Sequence, residues 1–184
     1  MTTYCEAVLN DPLHRTYHDT QYGFPLRDDA SLLERLALEI NQAGLSWTTI
    51  LRKQENFHRA FEGFDVDRVA SYGPEDQARL LADAGIIRNR LKVQAVIENA
   101  RRIQELRSEH GSFAEWLDAH HPLTREEWTK LFKRTFRFTG GEIVNEFLMS
   151  TGYLPGAHHP GCPIYGEIAR LNPPWMQVDR TAEP

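Results

Sequence analysis

The sequence LEINQAGLSW, residues 38–47, places an acid, Glu39, and a large aromatic, Trp47, on either side of a glycine turn. This arrangement suits the binding of a planar base better than it suits the packing of a protein core. Taken one position at a time, each residue also has an ordinary interpretation: Trp47 as a core aromatic, Glu39 as a boundary residue and Leu45 as a loop leucine. Only their combination in one short segment indicates a functional site.

Two helices are predicted to flank this turn. Apolar residues recur at helical spacing from residue 32 to residue 43, which predicts a helix that runs into the turn. Ser31 and Glu34 fit a capping box at the start of this helix, and Gly44 supplies its C-terminal stop. Ser46 fits the N-cap of a second helix. The segment is therefore predicted to be helix, turn, helix.

The position of Glu39 on the first helix also predicts its chemistry. At about 100° per residue, Glu39 falls at the edge of the apolar stripe, beside Leu32 and Ala43. We expect an unpaired carboxylate there to be partly desolvated. Because desolvation disfavours the charged form, the pKa of Glu39 is expected to be raised.

Composition limits the class of protein. The chain has 184 residues, 41% of them hydrophobic, which is enough for one domain with a full core or two small lobes that share one. The first residues contain neither a basic start nor an apolar run, and no stretch approaches the length that crosses a membrane. We therefore expect a cytoplasmic protein with no membrane partner. The net charge of −5 does not by itself favour nucleic acid as a partner.

Helical patterns dominate the chain, and no strand-like alternation competes with them. The sequence therefore predicts an all-α fold. Beyond the first two helices, the patterns predict a short helix at residues 65–70 and a helix that begins at Gly73-Pro74-Glu75-Asp76 and continues through residue 81. They also predict longer helices at about residues 91–106, 124–135 and 141–150.

A glycine hairpin, residues 83–90, separates two of the predicted helices. Gly85 and the amides at the start of the following helix would lie at one surface, where they could bind an anion such as phosphate. Arg88, Arg90 and Lys92 are the only charged residues between positions 85 and 97, and they would add positive charge there. The alternatives are a tight corner between two helices and, for the basic run, a solvated helix face.

Potential metal ligands lie near both ends of the chain. Cys5 and His18 stand near the start, and His158, His159 and Cys162 stand near the other end. Two thiolates and two neutral imidazoles satisfy a tetrahedral zinc ion, and a closed site with four ligands is structural. A disulfide between the two cysteines is not expected in a reducing compartment. The alternative is a buried free cysteine with surface histidines, and the two adjacent histidines compete for one role.

Taken together, these residues resemble the DNA-3-methyladenine glycosylase I family, bacterial enzymes of the helix-hairpin-helix glycosylase superfamily. The resemblance covers roughly residues 5–162, and the run Gln42-Ala43-Gly44-Leu45-Ser46-Trp47 is highly specific. The other matching segments are Asp11-Pro12-Leu13, Tyr17-His18-Asp19, Gly23, Leu38-Glu39, Asp83-Ala84-Gly85-Ile86-Ile87-Arg88, Phe136-Arg137-Phe138 and Gly161-Cys162.

The resemblance implies a helix-hairpin-helix DNA glycosylase fold. It implies one helical domain, residues 1–168, with two lobes that share a cleft, followed by a tail, residues 169–184. It also implies a structural zinc site that joins the N- and C-terminal segments, with His158 preferred to His159 because the family's histidine stands four residues before its cysteine. The four zinc ligands would be Cys5, His18, His158 and Cys162.

The implied activity is that of a monofunctional DNA glycosylase of base excision repair. The enzyme would act as a monomer on double-stranded DNA, and would extrude and hydrolyse off alkylated bases, 3-methyladenine above all. Glu39 would be the catalytic residue, and Tyr17, Glu39 and Trp47 would bind the base. The DNA-binding residues would be Gly44, Leu45, Gly85, Arg88, Arg90 and Lys92.

Several positions depart from the family pattern. Ala7 and Tyr22 stand where relatives carry tryptophan, and His14 stands where they carry tyrosine, so the pocket is expected to have less aromatic surface. Glu142 and Glu146 lie in a run that is mostly small or neutral in relatives. A second class of function is therefore left open: a zinc-stapled helix-hairpin-helix protein that binds DNA with altered or lost glycosylase activity. Only the enzyme would form an abasic product.

Overall fold

The computed structural model describes residues 2–178, and these residues form helices joined by turns, with no strand among them. The all-α fold is therefore confirmed. The α-helices, in chain order, are α1 Tyr4–Ala7, α2 Pro12–Thr20, α3 Asp29–Gln42, α4 Trp47–Ala60, α5 Val66–Ala70, α6 Pro74–Ala82, α7 Arg90–His110, α8 Phe113–His120, α9 Arg125–Thr135, α10 Gly141–Ser150 and α11 Pro163–Arg170. Short 3-10 segments occur at Val8–Asn10, Glu62–Phe64 and Pro174–Met176. Within this part of the chain, no helix combines the length and apolar character that a membrane crossing requires.

Two start signals, Ser46 and Pro74, operate as predicted, and the predicted start of a helix near residue 124 is also confirmed. Ser46 caps α4, because its hydroxyl oxygen accepts a hydrogen bond from the amide of Thr49 at 3.2 Å. α6 begins with Pro74, whose missing amide proton costs nothing at that position. α9 begins with a full capping box, in which the side chains of Thr124 and Glu127 each accept a hydrogen bond from the other's backbone amide.

The start of α3 differs from the prediction. The helix begins at Asp29, and its N-cap is Asp28, whose carboxylate accepts a hydrogen bond from the amide of Ser31 at 2.9 Å. Aspartate is a strong N-cap residue, so it fixes the helix start three residues before the predicted one. Ser31 and Glu34 therefore form no capping box. The carboxylate of Glu34 instead lies 3.0 Å from Nδ1 of His58 on α4.

α3 runs through the interior and packs against α4, α5, α7, α8 and α10. Residues 35–41 are all buried, so this helix carries three polar side chains into the core: Arg35, Glu39 and Asn41. The amide of Asn41 donates a hydrogen bond to the carbonyl oxygen of Ala37 at 2.8 Å. Buried polar groups cost free energy unless they find a partner. Arg35 also has a partner, since its Nη1 donates a hydrogen bond to the carbonyl oxygen of Ser150 at 3.0 Å. The carboxyl group of Glu39 has none among the described residues, so burial of Glu39 costs stability and indicates a functional position.

The sequence patterns do not predict four of the helices. α1, α2, α8 and α11 have 4, 9, 8 and 8 residues, too few turns for an apolar period to be recognised. The last of these, α11, continues through Arg170 and so crosses the predicted boundary between the domain, residues 1–168, and the tail, residues 169–184. Residues 179–184 of that tail lie outside the described residues.

Candidate functional site

A cavity of about 780 Å³ opens where the C-terminal end of α3 meets the start of α4, the N-terminal segment and the start of α10. Glu39 on α3 and Trp47 on α4 both line it, because the glycine turn folds the two helices back toward one another. The other lining residues are Tyr4, Tyr17, Tyr22, Gln42, Ala43, Gly44, Gly140, Gly141, Glu142, Ile143 and Glu146. The structure thus brings together all three residues that were predicted to bind a base.

One side of the cavity is a wall of aromatic rings centred on Tyr17. The centroid of this ring lies 5.3 Å from that of Trp47, which it meets edge-on, and 5.6 Å from that of Tyr22, with which it stacks. Tyr4 meets Tyr22 edge-on at 5.5 Å. Such ring pairs contribute about 0.5–1.5 kcal/mol beyond the burial of their area. The wall is therefore held by its own contacts, with Tyr17 buried and Trp47 partly open to the cavity.

Glu39 is buried in the cavity, with 4% of its surface exposed. Burial raises the pKa of its carboxyl group to about 8, the negative charge of Glu146 adds to the increase, and the positive charge of Arg35 opposes it. The raised pKa predicted from the sequence is confirmed. Within residues 2–178, no group donates a hydrogen bond to this carboxyl group. It is therefore available to a ligand.

Arg35 lies near the cavity but is held by other partners. Its guanidinium lies 5.4 Å from the centroid of the Tyr17 ring and above its face, and its Nη1 donates a hydrogen bond to the carbonyl oxygen of Ser150 at 3.0 Å. The ring face and the carbonyl oxygen both attract the guanidinium. Arg35 therefore supplies a positive field to Glu39 and fixes the back of the Tyr17 ring.

Tyr4 is a pocket residue that the sequence analysis missed. Its hydroxyl group lies 2.9 Å from Nδ1 of His14, and Nε2 of His14 lies 2.7 Å from the hydroxyl of Thr48. Ala7 is exposed and does not line the cavity. His14 thus supports the aromatic wall from behind, and Tyr4 provides aromatic surface that the change at Ala7 was expected to remove. No pattern around Tyr4 could have indicated this, because its partners come from other elements.

The turn between α3 and α4 presents an apolar side chain at the rim of the cavity. Gly44 has a φ of +79°, a left-handed conformation that favours glycine. Leu45 follows it and is 40% exposed. The amide of Leu45 donates to the carbonyl oxygen of Gln42 at 2.7 Å, and the side-chain amide of Gln42 donates to the carbonyl oxygen of Leu45 at 3.3 Å. The tip is therefore an ordered projection.

The hairpin between α6 and α7 presents two arginines to solvent. The amide of Gly85 donates to the carboxylate of Asp83 at 2.7 Å, which closes the turn. Lys53 on α4 donates from Nζ to a hairpin carbonyl oxygen at 3.0 Å, which ties the hairpin to the helix that carries Trp47. Arg88 and Arg90 are exposed, and neither forms an ion pair within residues 2–178. Both are free to meet an external anion.

Lys92 does not share this surface, and the prediction that it binds the DNA backbone is corrected. The residue is only 5% exposed. Its Nζ donates hydrogen bonds to the carbonyl oxygens of Asn41 at 2.8 Å and Ala43 at 2.6 Å. These carbonyls belong to the C-terminal end of α3, where the helix dipole attracts a cation. The charge pattern along α7 could not show this, because the partner carbonyls lie about fifty positions away in sequence.

Cys5, His18, His158 and Cys162 form one buried cluster, as predicted, and their ligand atoms all lie within 4.8 Å of one another. Sγ of Cys162 lies 3.7 Å from Nε2 of His18 and 3.6 Å from Nδ1 of His158. Sγ of Cys5 lies 3.7 Å from the same Nδ1. A thiolate and an imidazole on one tetrahedral zinc ion would be separated by about 3.6 Å. The cluster could therefore hold a metal ion, and His159 is not part of it.

The histidines of this cluster are oriented by further contacts. Nδ1 of His18 lies 2.7 Å from the carboxylate of Asp19, and Nε2 of His158 lies 2.6 Å from the carbonyl oxygen of Tyr22. Metal-binding histidines usually donate their other ring N–H in this way, which fixes the tautomer. The last contact also joins the cluster to the aromatic wall, since Tyr22 lines the cavity.

Known proteins are similar to this chain in both sequence and fold. The sequence profile of a family described as methyladenine glycosylase matches residues 7–129. DNA-3-methyladenine glycosylase 1 of Escherichia coli (strain K12) is 37% identical over 180 residues, which cover 88% of this chain and 96% of that protein. DNA-3-methyladenine glycosylase of Haemophilus influenzae is 32% identical over 182 residues, with coverage of 89% and 98%.

A solved structure extends the similarity to three dimensions. A variant of 3-methyladenine DNA glycosylase I in complex with 3-methyladenine superposes with a TM-score of 0.81 at 30% sequence identity. The alignment covers 89% of this chain and 97% of that one. The arrangement of helices around the cavity is therefore shared with a protein that binds a methylated base.

Proposed function

This chain belongs to the methyladenine glycosylase family, and on that premise we propose that it is a monofunctional DNA glycosylase of base excision repair. Its substrate is double-stranded DNA that contains alkylated bases, with 3-methyladenine as the principal one. The observation that carries the proposal is a cavity in which the free carboxyl group of Glu39 and the ring of Trp47 lie beside an exposed leucine, Leu45. The relative solved with 3-methyladenine supports this choice of base.

The exposed turn gives the protein a means of extruding the base. An enzyme that acts on a base within a duplex must unstack it, at a cost of a few kcal/mol that is smaller for a damaged base. Leu45 would enter the gap left in the stack, and Gly44 allows the backbone to turn there. The extruded base would then pass the rim and enter the cavity.

Within the cavity, the base would be recognised by stacking, charge and hydrogen bonding. Trp47 is partly open to the cavity, and stacking on an aromatic residue contributes roughly 1–3 kcal/mol per base. An adenine alkylated at N3 is cationic in DNA, so the electron-rich ring of Trp47 favours it. The positive charge of the base also lowers the raised pKa of Glu39 and so favours the ionised carboxylate, which in turn binds the cation. Glu39 can also accept a hydrogen bond from the exocyclic amine. Tyr17 would contact the edge of the base.

Hydrolysis then needs little further catalysis. A cationic base leaves the sugar as a neutral molecule, so its glycosidic bond is already weak, and water attacks the sugar. Lyase activity would require an amine nucleophile, but the cavity has no lysine among its described lining residues. The buried Lys92 nearby uses its ammonium to bind two carbonyl oxygens. The reaction therefore ends at the abasic site.

The hairpin between α6 and α7 would grip the phosphate backbone. Gly85 lets the hairpin pack closely against α4, since a Cβ there would lie 3.2 Å from the side chain of Asn56. Arg88 and Arg90 would each neutralise a phosphate. Each such contact releases counterions, so the affinity for DNA should fall as salt is raised. The hydrogen bond from Lys53 to the hairpin would fix the position of the hairpin relative to Trp47, which lies on the same helix as Lys53.

The metal that the cluster of Cys5, His18, His158 and Cys162 would hold is zinc. Two thiolates and two imidazoles form a donor set that zinc prefers, and the four positions leave no open ligand site. The ion would supply structural stabilisation and no chemistry at the base. We further propose that residues 1–168 act as one domain, as a monomer in the cytoplasm.

The direct test is the release of 3-methyladenine from methylated duplex DNA by the purified protein. We expect free base and an abasic product in equal amounts, without strand cleavage. Unmethylated DNA of the same sequence is the control. Base release with no abasic strand, or no release at all, would contradict the proposal.

The same experiment addresses the alternative of a DNA-binding protein without activity, which the departures at Ala7, His14 and Tyr22 left open. That protein would bind duplex DNA with salt dependence but form no abasic product. Activity on several alkylated bases would instead indicate broadened selectivity. The complete wall formed by Tyr4, Tyr17 and Tyr22 favours the enzyme.

A further inference from the structure

Besides Glu39, the cavity is lined by two acids of α10, the exposed Glu142 and the partly buried Glu146. Glu146 lies on α10, whereas Glu39 lies on α3, and both line the cavity. The hydroxyl group of Tyr22 donates a hydrogen bond to Oε2 of Glu146 at 3.4 Å, which directs that carboxyl group along the aromatic wall. Glu146 is only partly buried, so a ligand in the cavity could reach it.

The neighbouring acid on α10 has a different environment. Glu142 lies one turn earlier, and its carboxylate pairs with Arg125 at 3.0 Å on the exposed surface. No lysine or arginine of residues 2–178 pairs with Glu146, whose pKa is raised, mainly by burial. Glu146 is therefore a half-buried carboxyl group with a tyrosine partner but no cation partner. Burial of such a group costs free energy, which a bound cationic ligand would offset.

The charge of Glu146 acts on Glu39. Burial is the main cause of the raised pKa of Glu39, and the negative charge of Glu146 adds to it. Two carboxyl groups in one cavity disfavour each other's ionisation. A cation between them removes this repulsion, whereas a neutral ligand leaves it in place. The pocket should therefore distinguish bases by charge.

We propose that Glu146 is a specificity-determining residue, which acts with Glu39 to select positively charged alkylated bases and to reject neutral undamaged ones. This inference rests on the proposed glycosylase function and deepens it. It assigns to α10 a contribution to recognition that the segment from Glu39 to Trp47 does not supply.

The test compares Glu146→Gln with Glu126→Gln. Glutamine keeps the shape of glutamate, so Glu146→Gln should fold, which its melting temperature and metal content would check. Glu126 is exposed on α9 and does not line the cavity, so its replacement makes the same change in net charge elsewhere. We expect Glu146→Gln to slow single-turnover release of 3-methyladenine from duplex DNA about tenfold, the effect of one pKa unit of charge interaction. Glu126→Gln should match the wild-type protein.

A second measurement separates charge selection from a structural role. Free 3-methyladenine is neutral at pH 8, and its binding can be followed by tryptophan fluorescence. Glu146→Gln should bind it with an affinity within about twofold of wild type, since no charge interaction is lost. Equal loss of base release and free-base affinity would show a structural role and overturn the proposal. Wild-type rates in Glu146→Gln would overturn it while leaving the glycosylase function intact, whereas an inactive wild-type protein would overturn both.

Discussion

At the scale of single residues, the buried carboxyl group of Glu39 serves the proposed function but lowers the stability of the fold at neutral pH and above. The pKa of this carboxyl group is about 8 in the folded protein and ordinarily 4.5. Between pH 4.5 and about 8, the Glu39 carboxyl group is ionised in the unfolded chain but protonated in the folded protein. The contribution of this group to the free energy of unfolding is therefore complete below pH 4.5 and is lost as the pH rises to about 8.

This difference predicts the stability of a variant. Glutamine cannot ionise, so Glu39→Gln should gain stability relative to wild type as the pH rises from 5 to 8, by a few kcal/mol in total, and the difference should level off above pH 9. Urea unfolding of both proteins at a series of pH values, with zinc in the buffer, would measure it. A difference independent of pH would contradict the burial of this carboxyl group in solution.

The same substitution should impair catalysis. Glutamine at position 39 loses the negative charge and part of the hydrogen-bonding capacity that a cationic base requires. Hydrogen bonds to charged groups contribute about 1.5–3 kcal/mol, so single-turnover release of 3-methyladenine should fall roughly tenfold to a hundredfold. Quantifying the released base under enzyme excess would check it. Full activity in Glu39→Gln would remove Glu39 from the proposed mechanism without affecting the family assignment.

At the scale of elements, α7 supports the end of α3 through one buried side chain. Lys92→Met keeps a similar length but leaves the carbonyl oxygens of Asn41 and Ala43 without their donor. Each unsatisfied buried group costs about 1–3 kcal/mol. We expect a comparable loss in the free energy of unfolding, measured with urea, and Arg90→Ala, which removes an exposed cation from the same helix, should show almost none. Equal stability of the two variants would contradict this role of Lys92.

The role proposed for the turn between α3 and α4 predicts that the effect of a mutation there depends on whether the DNA is double- or single-stranded. Leu45→Ala should slow base release from duplex DNA about tenfold, because a truncated side chain fills less of the vacated stack. Release from methylated single strands should be nearly unaffected, since they have no gap to fill. Leu171→Ala, at an exposed leucine 55% accessible in another region, is the control. Equal slowing on both substrates would show that Leu45 acts in some other way.

The elements also show where sequence reasoning succeeds and where it stops. Caps act within three or four residues, so the start of α9 at Thr124 could be predicted from sequence alone. Glu39 and Trp47 were found together because one turn joins them. Tyr4 and Lys92 were missed or misassigned because their partners lie on other helices. Burial of a charged side chain is decided by the packing of distant elements, which periodicity along one helix does not contain.

At the scale of the whole molecule, the metal cluster links distant parts of the chain to the pocket. On the proposal that this cluster holds zinc, Cys162→Ser should abolish stoichiometric zinc binding and lower the melting temperature by roughly 10 °C or more. His159→Ala should retain about one zinc ion per chain, because His159 is outside the cluster. Elemental analysis and calorimetry of tag-free protein would measure both. Loss of zinc in His159→Ala alone would exchange the roles of the two adjacent histidines.

The contact between Cys5 and His158 joins residues that are 153 positions apart. Closing so long a loop is entropically costlier than forming the local helix pairs around α3, and contacts of large sequence separation form slowly. We therefore expect folding to proceed in an order: the core around α3, α4 and α7 first, and the N-terminal tyrosines only when the two chain ends meet. During folding, the hairpin surface for which we propose DNA binding would therefore form before the cavity for which we propose base binding.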